Sequence, residues 1–493
     1  MISAIQTRYN WLFDATVGKL WVTRTWDAVD RAPSTTRQAL SRSDTLMALG
    51  FGLVGIAVSI WAFMQTGRAP DIHQMSSLWL QADVPRLAEN MVSTAGNNSR
   101  TAVHPVLSIL LYPFGKLLTV AGMDPLMAAK TLIVLIMGAN AALFSLTVRL
   151  LGLPRLVVAA FTLLFIATAS FMFWSGIVES FQFSGFALIL SLFMMLRINT
   201  AHWGWWVLVS LLSLGFLITN WVFGLIAMAV RLKLKPFVSV VIISLTAAVA
   251  LSIAQNAAFS KASFFFNPKP LMHETHFLQT SMAADGTYEE GWQPVSNLRS
   301  IYVTSVVAMP AYPQQQGYGR LTTTNQNSGL PKDEISPLIA IAAWVLLFGL
   351  GLWGTILRRD IRLPLIGAGL MLLVQTGLHL IYGEVTFLYS LNFMPLLILF
   401  ASCAWFVPWK QAAVALASLV IVFGGINNER RLQQTINLTD CLADNEVVRT
   451  HQNWDIIKTE TVGEARDAHL DIKIDERCKA LYVAPATSRG ADT

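Results

Sequence analysis

The sequence predicts an all-α polytopic membrane protein with about 11 transmembrane helices, juxtamembrane helices in the first outer loop and a small α/β extracytoplasmic tail. Composition is the first reason. Of the 493 residues, 54% are hydrophobic and 13% are charged, whereas about a quarter of the residues in an ordinary soluble protein are charged. The second reason is that apolar windows long enough to cross the bilayer recur from Leu46 to Ile426. Helices are expected there because backbone in lipid must satisfy its own hydrogen bonds.

Most of the apolar windows are predicted to be membrane crossings, on grounds of length and low charge. The predicted crossings are 46–64, 126–148, 155–173, 181–196, 204–218, 221–230, 236–257, 336–357, 363–382, 386–406 and 409–426. A further apolar window at 104–119 contains Pro105, Pro113 and Lys116. Whether this window also crosses decides which connectors lie on which side.

The distribution of basic residues favours a juxtamembrane position for 104–119. With that assignment, one set of connectors shares a side with the basic N-terminal arm, 1–45, and contains Arg149, Arg155, Arg197, Arg231, Lys233, Lys235, Arg358, Arg359, Arg362 and Lys410. The opposite short connectors contain Glu179 and Glu384 and neither Lys nor Arg. Since positive connectors stay cytoplasmic, the N-terminus is predicted to be cytoplasmic.

The large hydrophilic segments beyond the arm then lie on the extracytoplasmic face. They are the loops 65–125 and 258–335 of the transmembrane module 46–426, and the tail 427–493. The tail is predicted to be a small folded appendage of helix and strand. Its Cys441 and Cys478 occupy a compartment that permits a disulfide, although the sequence leaves their pairing open.

Several common motifs carry no function here. Two G-x-G-x-x-G matches, at Gly50, Gly52, Gly55 and at Gly349, Gly351, Gly354, lie inside apolar helices, where glycines let neighbouring helices pack closely. His273 and His276 form an H-x-x-H without an obvious third ligand, so no metal site is assigned to them. The net charge of +6 is accounted for by the connectors, and nucleic acid is not expected as a partner.

The first outer loop carries the pattern RAPDIHQMSSLWLQAD, residues 68–83. Asp71 begins a D-x-x-Q capping box, so its carboxylate is expected to cap a helix that starts beside the membrane. Ile72, Met75, Leu78, Trp79 and Ala82 recur at helical spacing and predict a short amphipathic surface helix that Pro85 ends. A carboxylate fixed there is also a well-placed general base.

The order of these parts resembles the GT-C superfamily of glycosyltransferases that use polyprenyl-phosphate sugars, of the protein mannosyltransferase and aminoarabinose transferase type. The resembling features are an outward Asp after the first span, a second acidic residue about twelve positions later, and the HP dipeptide His104 and Pro105. Further matches are the span that begins with the outward Glu179, in GIVESFQFSGF, and the long loop after the seventh crossing. The sequence departs from the family where Ile72 and His73 follow the first Asp.

The resemblance implies which residues form the site. Asp71 takes the position of the catalytic acidic residue, and Asp83 that of the second acidic residue, which assists substrate positioning or contacts a divalent cation. Beside these, the residue types predict that His73, Glu179 and Glu384 help to position substrate. The candidate phosphate-binding residues are Arg100, His104, Lys116, Arg299 and Arg320.

The predicted activity is inverting sugar transfer from a polyprenyl-phosphate donor to a lipid, glycan or protein acceptor at the extracytoplasmic face of a bacterial inner membrane. Asp71 would accept the proton of the acceptor hydroxyl while cationic residues hold the departing phosphate. Two alternatives are a transporter or flippase and an envelope-glycan polymerase or ligase of another superfamily. A scaffold protein is the third, and the polar residues of 65–125 argue against it.

Overall fold

The structure is a computed structural model that describes residues 40–197, 203–274, 278, 294–315, 320–331, 334–383, 385–453, 455 and 473–482. The predicted cytoplasmic arm therefore lies almost entirely outside the described residues, and so do Glu384, His276 and the His273 side chain.

Helices make up most of the described chain. They are α1 (Arg42–Thr66), α2 (Val84–Val92), α3 (Leu107–Val120), α4 (Pro125–Arg149), α5 (Arg155–Ala167), α6 (Ala169–Ser175), α7 (Phe181–Arg197), α8 (Trp203–Phe216), α9 (Trp221–Arg231), α10 (Leu234–Ala258), α11 (Pro268–His273), α12 (Pro294–Arg299), α13 (Ile335–Leu357), α14 (Arg362–His379), α15 (Met394–Ser402), α16 (Lys410–Leu419), α17 (Gly425–Ala443), α18 (Glu446–Gln452) and α19 (Glu476–Lys479). Short 3₁₀ or π turns extend several of them. One antiparallel hairpin pairs β1 (Tyr312–Gln315) with β2 (Leu321–Thr324).

The chain is a helical membrane protein by the length and composition of its helices. Among the described residues, six helices are long and apolar enough to cross a membrane, or up to eight if each of two bent pairs is one span. The other predicted crossings at 181–196, 204–218 and 221–230 fall on shorter apolar helices of 10–17 residues. At 1.5 Å per residue the longest of these, the 17-residue α7, extends about 26 Å, slightly less than the hydrocarbon thickness. The expected count of 11 is therefore not confirmed.

The segment 104–119 contains α3, a helix of 14 residues. Such a helix extends about 21 Å, which is too short for an upright crossing of about 30 Å. Since α8 has the same length and coincides with a predicted crossing, the juxtamembrane position of 104–119 stays a prediction.

Four of the six glycines in the two G-x-G-x-x-G matches pack against neighbouring helices, as predicted. A Cβ added to Gly55 of α1 would lie 3.0 Å from the Ala141 Cβ and 3.1 Å from the Met137 carbonyl oxygen of α4. In α13, a Cβ on Gly351 or Gly354 would overlap the backbone of the Phe400–Cys403 segment. The first glycines of the two motifs, Gly50 and Gly349, instead face open space.

This difference predicts unequal effects of methyl groups along one helix. Gly354→Ala should destabilise the protein by about 1–3 kcal/mol, because the added methyl group meets the Cys403 carbonyl and the helices must separate. Gly349→Ala is the matched control: it adds the same group to the same helix where nothing lies within 4 Å. Thermal unfolding in detergent measures both variants, and equal melting temperatures would contradict the packing role of Gly354.

A second, smaller hydrophobic core lies beside the main helical core. It joins the first predicted outer loop, the hairpin and the tail, and its buried members are Met75, Leu78, Ala311, Leu321, Leu438, Leu442, Ala443, Val448 and Cys478. Cys441 and Cys478 form a disulfide that attaches α19 to α17. The tail thus contributes to the packing around the first loop.

The described part of the tail, 427–453, 455 and 473–482, is mainly helical. Its first part continues the last predicted crossing as one helix of 34 residues, Lys410–Ala443. In the described part of the tail, the remaining elements are the helices α18 and α19, and its extended contact is a single bridge between Asn453 and Met75. Within 473–482, the short helix α19 begins after Asp475, whose side chain caps it.

The predicted amphipathic surface helix in 71–82 is wrong. Pro70–His73 forms one 3₁₀ turn, the following residues have an irregular backbone, and Pro85 lies in the first turn of α2 instead of ending a helix. The apolar residues Ile72, Met75, Leu78, Trp79 and Ala82 are buried within the protein. The pattern therefore marks burial within the protein and not a helix lying on the bilayer: Met75 and Leu78 pack with the hairpin and tail, and the other three residues pack in the main helical core.

Candidate functional site

Asp83, immediately before α2, lies at the centre of a cluster of charged residues. Its Oδ2 accepts hydrogen bonds from Arg86 Nη2 at 2.8 Å and Nε at 3.2 Å, and its Oδ1 accepts one from Ser76 Oγ at 3.1 Å. The side chain remains 34% exposed, although the flanking Ala82 and Val84 are fully buried. Asp83 therefore presents a carboxylate to solvent from an otherwise buried segment.

The backbone that leads to Asp83 is strained. Ser77, Leu80 and Gln81 have φ of 65°, 47° and 65°, a region that side chains other than glycine rarely adopt. Such strain persists only where the surroundings enforce it, and it is concentrated at functional sites. The strain therefore points to Asp83 as part of such a site.

The hairpin and the tail hold this strained segment in place. Thr322 and Thr323 of β2 accept hydrogen bonds through their hydroxyl oxygens from the amides of Gln81 and Leu80. Buried Gln452 of α18 donates to the carbonyl oxygens of Ser76 and Leu321. Two segments distant in sequence thus fix the position of Asp83.

Two further arginines, Arg100 and Arg320, lower the pKa of Asp83 electrostatically. Burial raises the pKa of its carboxyl, but Arg86, Arg100 and Arg320 outweigh burial and lower the pKa to about 2. The carboxylate is therefore ionised at physiological pH. Three guanidinium groups thus act on this carboxylate, and arginines are side chains that suit an anionic ligand.

Arg100 is paired with Glu274 across the cluster. Arg100 Nη1 and Nη2 donate to the two carboxylate oxygens of Glu274 at 2.5 and 3.1 Å, and Tyr382 donates its hydroxyl to Glu274 Oε2 at 2.7 Å. Burial lowers the pKa of Arg100, but Glu274 and its other anionic neighbours outweigh burial and raise it. Arg100 thus remains a fixed cation.

Glu179 supports the site from behind. Its Oε2 accepts the backbone N–H of Asp83 at 2.9 Å, and its Oε1 accepts the N–H and hydroxyl of Ser180. Burial, and then the charge of Asp83, raises its pKa. With 5% of its surface exposed, Glu179 holds the backbone of Asp83 in position and does not anchor the chain at the lipid interface.

The two histidines predicted to take part are both neutral. Burial lowers the pKa of His104 to about 3, against the opposing hydrogen bond between its Nδ1 and the Phe216 carbonyl oxygen at 2.6 Å. His104 lies near the arginines but does not supply a positive charge for a phosphate. Burial, followed by Lys130, lowers the pKa of His73 to about 3, and the His73 ring packs 6.1 Å from Phe63.

Asp71 belongs to a different group of residues. It does not cap a helix with its side chain, because the Gln74 amide donates to the Asp71 carbonyl oxygen instead. Its carboxylate lies 3.8 Å from Arg449 of α18, and its charge acts on Asp440 of α17. The structure thus places Asp71 against the tail, among different charge partners from those of Asp83.

The remaining predicted phosphate ligands differ in position. Arg320, beside β2, is one of the arginines that lower the pKa of Asp83. Lys116 is exposed on α3 next to the exposed Phe114 and Leu117, a setting typical of a side chain at the lipid interface. Arg299 donates to the Gln326 carbonyl oxygen at 3.1 Å and so braces the outer loop.

The acidic residues present do not fit a metal ion. Within the described ranges, no group of three or more His, Cys, Asp and Glu side chains is placed to hold one. The oxygens of Asp83 and Glu179 already accept hydrogen bonds from Arg86, Ser76, Ser180 and the Asp83 amide.

No protein-family model matches the chain, and a search of curated proteins finds no significant match.

Three residues of the cluster were not predicted. Arg86 follows Asp83 at a spacing of three, a pattern that favours an ion pair in the first turn of a helix and was available in the sequence. Glu274 and Tyr382 gave no such signal, because Glu274 meets Arg100 from 174 positions away and Tyr382 meets Glu274 from 108 positions away.

Proposed function

We propose that the protein is a membrane glycosyltransferase that moves a sugar from a polyprenyl-phosphate donor to an acceptor hydroxyl at the extracytoplasmic face, with inversion. The observation that carries the proposal is a solvent-facing carboxylate, Asp83, set among Arg86, Arg100 and Arg320 on a strained segment of a helical membrane protein. A carboxylate can accept a proton, and arginines suit a phosphate.

Asp83 replaces Asp71 as the first candidate for the general base. Asp83 shares its surroundings with Arg100 and Arg320, two of the predicted phosphate ligands, whereas Asp71 is near Arg449. A base and a phosphate clamp must act on the same substrate, so their proximity favours Asp83. A bound phosphate would also offset the positive charge of Arg100. It would thereby raise the pKa of Asp83 and make this carboxylate a stronger base.

The reaction then needs one proton transfer. The acceptor oxygen attacks the anomeric carbon, the bond from that carbon to the phosphate oxygen breaks, and the polyprenyl phosphate leaves with the bonding electrons. The hydroxyl proton passes to Asp83, for which a weak base suffices because the attacking hydroxyl becomes strongly acidic as the new bond forms. Arg100 and Arg320 stabilise the additional negative charge on the leaving phosphate.

Two features support the extracytoplasmic side. The disulfide between Cys441 and Cys478 is typical of an oxidising compartment. The basic connectors contain Arg149 and Arg155, which both donate to Asp44 at the opposite end of α1 from the first loop. Their positive charge favours the cytoplasm for that end.

The purified protein should release sugar from a synthetic polyprenyl-phosphate sugar and transfer it to a hydroxyl acceptor. Short acceptors of the three expected kinds, lipid, glycan and peptide, are offered in parallel with mass-spectrometric detection. Anomeric configuration by NMR should show inversion. No transfer or donor hydrolysis from any of several polyprenyl-phosphate sugars would contradict the proposal.

One observation favours a transporter or flippase as the second candidate. Buried polar side chains form a chain of hydrogen bonds from His379 through Gln375 and Asn220 to Asn392, which also accepts from Ser184. Polar groups inside transmembrane helices often line a substrate path. Movement of a labelled polyprenyl-phosphate lipid across proteoliposomes, in the absence of sugar transfer, would favour this alternative.

A further inference from the structure

We propose that Arg100 and Tyr382 form the seat of the donor's phosphate group, and that the chain's own Glu274 occupies this seat until the phosphate displaces it. The inference deepens the proposed function and depends on it for the identity of the donor. It assigns Tyr382 a role in binding and gives Glu274 the role of an internal competitor.

The geometry at Glu274 is that of a bound oxyanion. Arg100 Nη1 donates to Oε1 of Glu274, and Arg100 Nη2 and the Tyr382 hydroxyl donate to Oε2, at 2.5–3.1 Å. The guanidinium fork and a hydroxyl converge in the same way on phosphate, whose oxygens have similar spacing and accept the same donors. A phosphate oxygen pair can therefore replace the carboxylate without rebuilding the site.

The seat is open to solvent and adjoins the reacting groups. Arg100 is 29% exposed and Glu274 15% exposed in their side chains, so a ligand can approach both. Arg100 is also close enough to influence Asp83 electrostatically. A phosphate on Arg100 thus places its sugar near the candidate base.

Beside the seat lies an aromatic surface. The Tyr389 ring lies 6.1 Å from that of Tyr382 and stacks on His379 at 4.5 Å, and Tyr389 is among the groups that act on Arg100. These rings fix the orientation of Tyr382 toward Arg100. The two donors of the seat are therefore preorganised, and displacement of Glu274 is the main cost of phosphate binding.

Competition inside the chain has a measurable consequence. A ligand that must displace an internal group binds more weakly than its contacts allow, and removing that group restores the affinity. Glu274→Gln keeps the size of the side chain and removes its charge. We expect this variant to bind phosphate at least about tenfold more tightly than the unmodified protein.

Direct binding to the full-length protein in detergent tests this, with inorganic phosphate and farnesyl phosphate as probes in calorimetric titrations. Both probes should gain affinity in Glu274→Gln, because they share the phosphate group. Tyr382→Phe in the Glu274→Gln background should weaken binding by about three- to tenfold, the effect of one hydrogen bond. Arg100→Gln in the same background should remove detectable binding of inorganic phosphate.

Glu429→Gln is the matched control. It removes the same charge from an exposed position on α17, so it reproduces any long-range effect of net charge and should leave both affinities unchanged. If Glu274→Gln does not fold, Glu274→Asp keeps the charge and withdraws the carboxylate by one methylene. That variant should bind phosphate more tightly than the unmodified protein does.

The inference is overturned if Glu274→Gln binds both probes no more tightly than Glu429→Gln. It is also overturned if farnesyl phosphate alone binds and its affinity does not respond to Glu274, since the hydrocarbon chain would then account for binding. Tighter phosphate binding without sugar transfer would support the phosphate seat and contradict the glycosyltransferase. Sugar transfer together with phosphate affinities that Glu274→Gln leaves unchanged would support the glycosyltransferase and contradict the phosphate seat.

Discussion

Asp83→Asn should reduce the rate of sugar transfer by about 10²- to 10⁴-fold, the usual contribution of a general base. The amide can still accept the hydrogen bond from Ser76 and is nearly the same size, but it cannot take the proton of the acceptor hydroxyl. Donor binding should persist, because Arg100 and Tyr382 are unchanged. The loss should therefore appear in kcat, while the Kd for the donor measured by titration should not rise, because the variant removes a negative charge that opposes phosphate binding.

Two comparisons make this result specific. Asp444→Asn changes an exposed carboxylate that is paired with Arg449, and this variant should retain full transfer and the same melting temperature as the unmodified protein. Asp71→Asn tests the residue that the family resemblance favours. If Asp71→Asn abolishes transfer while Asp83→Asn remains active, the assignment of the base to Asp83 is wrong.

Arg86→Gln should move the acidic limb of the pH–rate profile to higher pH. In the unmodified protein Arg86 is the largest of the influences that hold the pKa of Asp83 at about 2, against burial. Above about pH 4 the carboxylate is then fully ionised, and its titration does not limit the rate. Without Arg86, burial raises the pKa, so the active, ionised fraction falls as the pH is lowered toward the new value.

The measurement is kcat/KM from about pH 4.5 to 8 in both proteins, with the donor and detergent held constant. We expect Arg86→Gln to approach the unmodified rate at high pH and to lose at least about tenfold at the acidic end. Arg449→Gln removes the arginine beside Asp71 and serves as the control with an unchanged profile. If both variants shift the acidic limb of the profile equally, the overall charge of the protein, and not the surroundings of Asp83, determines the pH at which the rate falls.

The parts of the fold that depend on local pattern were predictable. Apolar windows marked the helices, and glycine spacing correctly indicated close packing, as Gly55 and Gly354 show. The number of crossings was not confirmed, because length decides whether a helix spans the bilayer. The four apolar helices of 10–17 residues, such as Trp203–Phe216, are shorter than an upright crossing of the hydrocarbon layer requires.

The site was predicted less well, for a physical reason. Helical spacing in 71–82 reflected burial within the protein by residues distant in sequence: Trp79 packs on Phe173, and Met75 lies in one core with Leu442. Positive φ at Leu80 and Gln81 likewise depends on the hydroxyls of Thr322 and Thr323. The sequence therefore identified Asp83, Glu179 and Arg100 as relevant types, but their roles relative to Asp71 required the three-dimensional contacts.

The hydrogen bond from Gln452 to Ser76 joins residues separated by 376 positions, and this separation matters for biogenesis. At about 5–20 residues per second, the ribosome needs roughly 20–75 s to reach Gln452 after Ser76 has been made. During that interval the strained segment before Asp83 lacks one of its supports while inserted helices accumulate. A nascent chain that stops before Gln452 would therefore reach the membrane without this support for the segment that precedes Asp83.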